Sequence, residues 1–235
     1  MKPWDVIGRA RTPDGTELTL TCHATEHVIM ANGQSLMSSR MHGSEDALAV
    51  LGCQAARALA RPRVLVGGLG MGFTLRAALD VLPPTALVVV AELVPEVVAW
   101  NRGPIGGLAN HPLRDPRVRI EEQDVAVTLR SNAAYFDAVL LDVDNGPAAM
   151  TSSSNTGLYA RAGIARIRAA LRPGGVLAVW SARDDRRFER TLRDGGFDVR
   201  RERVSARMKK GGARHTILVA RAGKTAGVPR SSVER

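Results

Sequence analysis

The segment that most constrains the fold is Gly67-Gly68-Leu69-Gly70-Met71-Gly72, which follows the run Val64 to Val66 and leads directly into a stretch of helical periodicity. Glycines at such a junction permit positive φ and bring bare backbone to a helix N-terminus, where free N–H groups favour polar or anionic atoms. A tight packing turn has the same composition, so the loop alone assigns no ligand. What it does define is a strand, a loop and a helix in the order of a β-α-β unit.

The pattern continues beyond the loop. Val64 to Val66, Ala86 to Ala91, Val118 to Glu121, Ala138 to Leu141 and Val176 to Trp180 read as buried strands, and helical segments lie near Phe73 to Val81, Pro95 to Leu108, Val125 to Ser131 and Leu158 to Leu171. Such alternation predicts a parallel sheet covered by helices on both faces. After a further helix at Arg186 to Arg193 come strands at Phe197 to Val204 and Arg214 to Ala220. The link between these two is too short for a parallel crossover, so the seventh and last strand is predicted antiparallel. Ahead of the sheet, Asp14-Gly15 and Asn32-Gly33 each separate two strand-like runs and predict two β-hairpins over residues 4–39. Ser44 is the expected N-cap of a helix running to about Leu59 and stopping at Pro62. The predicted organisation is a hairpin unit over 1–43, a main domain over 44–221 and a basic tail over 222–235.

Composition narrows the partners. The 235 residues are 45% hydrophobic, enough for a sizeable core, and the net charge is +10. The charge is uneven: residues 1–159 carry 13 basic and 16 acidic side chains, while residues 160–235 carry 20 and 7. A basic C-terminal third suggests anionic partners, although 29 of the 33 basic residues are Arg and a coding bias alone produces such a skew. Aromatic residues make up only 4%, which argues against a surface for stacking bases. Cys22 and Cys53 match no metal or redox spacing. With no apolar leader and no run approaching the roughly 20 residues of a membrane span, a cytoplasmic protein with no membrane partner is expected. The hairpin edges predict pairing between subunits and so a homodimer.

Twenty residues after Gly72, Glu92 closes the second strand of the sheet, where a carboxylate accepts hydrogen bonds from both ribose hydroxyls of a nucleoside. The dinucleotide pattern G-x-G-x-x-G fails in either register, because it meets Phe73 or Leu75 where a small residue is needed. The pattern present is G-x-G-x-G. Together with an antiparallel last strand it favours the class I methyltransferase fold, a Rossmann-like α/β architecture, over a nicotinamide-binding domain. Asp124 follows the third strand, where that fold presents a side chain to adenine; a helix N-cap is the equal alternative.

Residues from about Val28 to Ala220 resemble the spermidine synthase family, which joins this fold to an N-terminal β domain. The resemblance is carried by VLVGGLGMGFTLRAAL, VVVAELVPEVVAWNRG, DPRVRIEEQDV, FDAVLLDVDNGP and LRPGGVLAVWS. It implies that Gly68, Gly70 and Gly72 line the site of an S-adenosylmethionine-type donor, that Glu92 holds the ribose, that Asp124 faces the adenine and that Asp142 is the catalytic carboxylate. Four departures accompany it. Met71 stands where the family's loop has an Asp. The Asp-x-x-Asp catalytic loop becomes Asp142-Val143-Asp144-Asn145, and the Glu-x-Asp after the second strand becomes Glu92-Leu93-Val94. The Asp-Glu-Phe and Tyr-His-Glu elements are replaced by Ser39-Arg40-Met41-His42-Gly43-Ser44-Glu45.

A polyamine needs several carboxylates to compensate the desolvation of its ammonium groups. Loss of acids therefore tilts the expectation toward methyl transfer from S-adenosylmethionine to a small, anionic acceptor. Aminopropyl transfer from decarboxylated S-adenosylmethionine, as in polyamine biosynthesis, is the second reading, and a non-catalytic nucleoside- or nucleic-acid-binding protein the third. In either transfer Asp142 aligns the nucleophile or accepts its proton, with Asp144 assisting; capping of the Gly146-Pro147 turn is the alternative role for the pair. No metal is expected, because the motif offers no third ligand. The loop after the sixth strand carries Arg207, Lys209 and Lys210, with Arg214 and His215 just behind, and is expected on the same sheet edge as the glycine loop. These residues are read as a positive flank to the acceptor, with a solvated hairpin turn as the alternative.

Overall fold

The computed structural model describes residues 4–142, 157–206 and 213–223. Strands β1 (Asp5–Arg11), β2 (Glu17–His23), β3 (Glu26–Ala31) and β4 (Gln34–Ser38) form one antiparallel sheet in sequence order. The two expected turns sit where the glycines allow them: Gly15 has φ 90° and Gly33 has φ 77°. The hairpins are not separate, however, because β2 and β3 pair through a third tight turn, with Ala24 at φ 54°.

Helix α1 (Gly43–Gly52) corrects two expectations. Ser44 lies inside the first turn, fully buried, and the cap position belongs to His42. The Ser44 hydroxyl is committed to other side chains, so it does not serve the helix N–H groups. The helix also ends at Gly52, short of Leu59, and only a 3-10 turn at Ala56–Ala58 follows. A Cβ at Gly52 would collide with Leu140 and Ala178, so α1 lies flat on the sheet there.

The main sheet has seven strands: β5 (Arg63–Gly67), β6 (Leu87–Ala91), β7 (Val118–Glu121), β8 (Phe136–Leu141), β9 (Leu171–Ser181), β10 (Phe197–Ser205) and β11 (Arg214–Ala222). Their order is β10-β11-β9-β8-β5-β6-β7, and β11 alone runs against its neighbours, as expected. The other helices are α2 (Phe73–Val81), α3 (Pro95–Arg102), α4 (Val125–Arg130), α5 (Arg161–Ala170) and α6 (Arg186–Asp194). Pro95 stands at the start of α3, where its missing N–H costs no hydrogen bond.

Side chains alternate across the strands. Val64, Val66, Ala138 and Leu140 join a core with α1, α2 and α3, while Leu65, Val139 and Leu141 join the opposite core with α4, α5 and α6. Leu18, Leu20 and Ile29 of the N-terminal sheet belong to the first of these cores, and Gly8 of β1 lies against the Trp100 indole of α3. The N-terminal sheet is thereby fixed over the carboxyl ends of the parallel strands.

The chain proceeds outward from β5 to β7 and returns through β8 on the other side of β5. Beyond the carboxyl ends of β5 and β8 lies the topological switch point, where open α/β sheets bind ligands. Among the described residues, no helix is long and apolar enough to cross a membrane.

Candidate functional site

The glycine loop is built as its composition requires. Gly68, Gly70 and Gly72 all have positive φ, at 87°, 52° and 84°. The Gly68 N–H donates to the Ala91 carbonyl, and the Gly72 N–H closes a turn onto the Leu69 carbonyl. From α3, the Asn101 amide donates to the Gly70 carbonyl at 2.8 Å and to its own helix at Val97. Sequence reasoning missed Asn101; its only signal was an amide among the apolar residues of α3.

Glu92 follows β6 and is only 7% exposed. Its Oε2 accepts the Leu69 N–H at 2.8 Å and its Oε1 accepts the Val94 N–H at 2.9 Å. Two backbone donors thus fix the carboxylate in one orientation. Glu92 lines a cavity of about 680 Å³ together with Gly68, Gly70, Asp124 and Asp142. The hairpin turns around Asp14 and Asn32 form its far wall. Gly72 does not line it. That residue turns the chain into α2 and packs on the other side, where a Cβ would lie 2.9 Å from Asn101 Oδ1 and 3.0 Å from Pro112.

Asp124 takes the N-cap role and also stands at the cavity. Its Oδ1 accepts the Ala126 N–H at 2.7 Å as the N-cap of α4, and the residue also lines the cavity.

Asp142 follows β8, with its N–H donating to the Gly67 carbonyl at 3.0 Å. Its Oδ2 accepts the Thr74 hydroxyl at 2.7 Å. Burial pushes the Asp142 carboxyl above its ordinary range, and the Thr74 hydroxyl opposes that shift. Asp142 stands where two cavities meet. Besides the large one, it lines a cleft of about 50 Å³ with Glu45, Met71, Thr74 and Trp180.

Glu45 was not anticipated as a site residue. It enters the cleft from the first turn of α1, and burial pushes its carboxyl up to about 7, with the Asp142 charge adding to the rise and the Ser44 hydroxyl opposing it. Ser44 donates to Glu45 Oε2 at 2.6 Å, and its Oγ lies 2.9 Å from His215 Nδ1. The His215 ring meets Trp180 edge-on at 4.7 Å between centroids, and burial holds its pKa below the ordinary value. His215 therefore faces α1 and lines neither cavity, contrary to its expected place beside the acceptor. The end of β10 does reach this edge, since the Gly43 N–H donates to the Ala206 carbonyl at 3.0 Å. Asp144, Arg207, Lys209 and Lys210 lie outside the described residues.

Solved structures share this fold. The spermidine synthase of Thermotoga maritima superposes with a TM-score of 0.73 at 17% identity, over 93% of this chain and 73% of that one. The chain has the spermidine synthase fold. A spermidine synthase in complex with the transition state analogue AdoDATO superposes with a TM-score of 0.72 at 16% identity and the same coverage. A probable spermidine synthase from Corynebacterium glutamicum ATCC 13032 gives 0.63 at 19% identity, over 92% of this chain and 80% of that one. No family model matches the sequence, and no curated protein matches it. The spermidine synthase fold accounts for both parts of the chain, the N-terminal β-sheet and the seven-stranded sheet with its antiparallel strand.

Proposed function

We propose that the protein is a transferase that moves an aminopropyl group from decarboxylated S-adenosylmethionine to an amine. The observation that carries this reading is the convergence of Glu45 and Asp142 on one cleft that opens at the edge of the larger cavity. Two carboxylates in a partly desolvated cleft suit a cationic acceptor and disfavour an anionic one. The expectation of methyl transfer rested on missing acids, and Glu45 supplies one of them from a position that the sequence did not reveal.

The larger cavity suits the nucleoside donor: Gly68 and Gly70 offer bare backbone, Glu92 is oriented for ribose hydroxyls, and Asp124 lies farther along the same wall. When bound, the donor supplies a carbon activated by its bond to a sulfonium. An acceptor ammonium placed at Asp142 gives up one proton to a carboxylate of the cleft, Glu45 or Asp142, and the freed nitrogen lone pair forms the new N–C bond as the C–S bond breaks. The electrons of that bond pass to sulfur, leaving a neutral thioether. Asp142 holds and orients the amine, so that proximity supplies much of the rate.

Methyl transfer from S-adenosylmethionine is the second reading. It is favoured by Met71, 2% exposed, and Val94, 4% exposed, which are apolar where the resemblance implies acids. Calorimetric titration with the two donors separates the readings. Preference for the decarboxylated donor, followed by aminopropyl transfer to a diamine detected by mass spectrometry, is expected; preference for S-adenosylmethionine overturns the first reading. Failure to bind either donor or methylthioadenosine overturns both. The homodimer is proposed to form through β1, an edge strand on which Val6 and Ile7 are exposed beside Trp4; a monomer in sedimentation analysis would overturn it.

A further inference from the structure

The side chains of His215, Ser44 and Glu45 form a continuous hydrogen-bonded line that ends in the cleft shared with Asp142. We infer that this line is a proton conduit, carrying the proton released by the acceptor amine from the Glu45–Asp142 side of the cleft to His215. The inference rests on the proposed transfer to an amine for the source of the proton, but the conduit itself is a property of three side chains.

The serine hydroxyl is the central element. It is fully buried, and it owns one proton while touching two partners, so it donates to one end and accepts from the other. When Glu45 is a carboxylate, Ser44 donates to it and accepts from His215 Nδ1–H. When Glu45 is a carboxylic acid, the line reverses: Glu45 donates to Ser44 Oγ and Ser44 donates to an unprotonated Nδ1. Passage from the second state to the first moves one proton. The Glu45 O–H proton goes to Ser44 Oγ as the Ser44 proton goes to His215 Nδ1, giving carboxylate, hydroxyl and imidazolium. Loss of the Nε2 proton to water then leaves the neutral Nδ1–H ring, so that one proton has left and no charge is stranded.

The surroundings suit such an exchange. Glu45 titrates near neutrality and the His215 ring is held below its ordinary value, so the ring does not trap the proton it receives. Two other carboxylates face the line: Asp142 at the end of β8, and Asp46 on α1, which is bonded to His42. β9 presents Trp180 and β10 presents Val204 opposite His215, and neither carries charge.

The test reads the tautomer of His215 directly. In the full-length ¹⁵N-labelled protein, with His215→Gln used to assign the ring among the five histidines, His215 is expected to be the Nδ1–H tautomer above pH about 7 and the Nε2–H tautomer just below it. Ser44→Ala and Glu45→Gln should abolish this switch. A single tautomer throughout, or a switch that survives in Ser44→Ala, overturns the conduit. Where aminopropyl transfer is measurable, Ser44→Ala should lower kcat about tenfold with the acceptor KM unchanged, and free imidazole should restore kcat in His215→Gly. Loss confined to KM, or no rescue, also overturns it. If no transfer is found with any amine, the proposed function falls, and the tautomer measurement still decides the conduit.

Discussion

Thr74 donates its hydroxyl to Asp142 across 2.7 Å, joining the first turn of α2 to the end of β8. The bond engages Asp142 Oδ2 and lowers a carboxyl pKa that burial raises. The carboxylate form is the one that orients or deprotonates an amine, so transfer is lost as pH falls through the Asp142 pKa. Thr74→Val should therefore move the acid limb of kcat/KM to higher pH, as read from a pH–rate profile. Asp142→Asn should lower kcat by on the order of 10²- to 10⁴-fold.

Glu92 uses both oxygens to accept backbone N–H groups. Glu92→Gln replaces one acceptor with an NH₂ that faces a donor. The variant should bind the nucleoside donor at least tenfold more weakly by calorimetry, and it should be destabilised by about 1–3 kcal/mol in urea unfolding.

Glu45 gives stability a pH dependence of definite sign. Its folded-state pKa, about 7, exceeds the ordinary 4.5, so the folded protein holds the proton more tightly than the unfolded chain. This contribution is present below pH 4.5 and is lost as pH rises toward 7. Glu45→Gln should remove that loss. The variant is expected to gain thermal stability relative to the parent at pH 8 and not at pH 4, as measured by calorimetry across the range.

Gly72 combines φ 84° with close neighbours at Asn101 and Pro112. Gly72→Ala should cost about 1–3 kcal/mol from the left-handed backbone alone. Asn101→Ala, which frees the Gly70 carbonyl, should weaken donor binding without altering any residue that lines the cavity. Both are measurable by chemical unfolding and donor titration.

Local patterns made most of the frame legible. Helix Phe73–Val81 and strand Val118–Glu121 match their expected bounds because apolar periodicity and flanking turn residues agree there. The places of Glu92 and Asp142 at the ends of β6 and β8 follow from the alternation, whereas the role expected of Asp142 came from the family resemblance. The Ala24 turn was not, since nothing near it carries a glycine or asparagine signal. Glu45 was hidden for a different reason: its role depends on α1 packing beside β8 and β11, a long-range arrangement with no local periodicity. His215 was placed on the right edge but turned the wrong way, because strand order fixes an edge and not a side-chain partner.

The bond between Ser44 and His215 joins residues 171 positions apart. Closing so long a loop precedes any reward from the contact itself. The larger cavity draws its residues from the first 142 positions, whereas this bond waits for the final strand. During synthesis the lining of both cavities is therefore complete by Trp180, and a chain released before β11 keeps those residues but lacks the partner that Ser44 finds in His215.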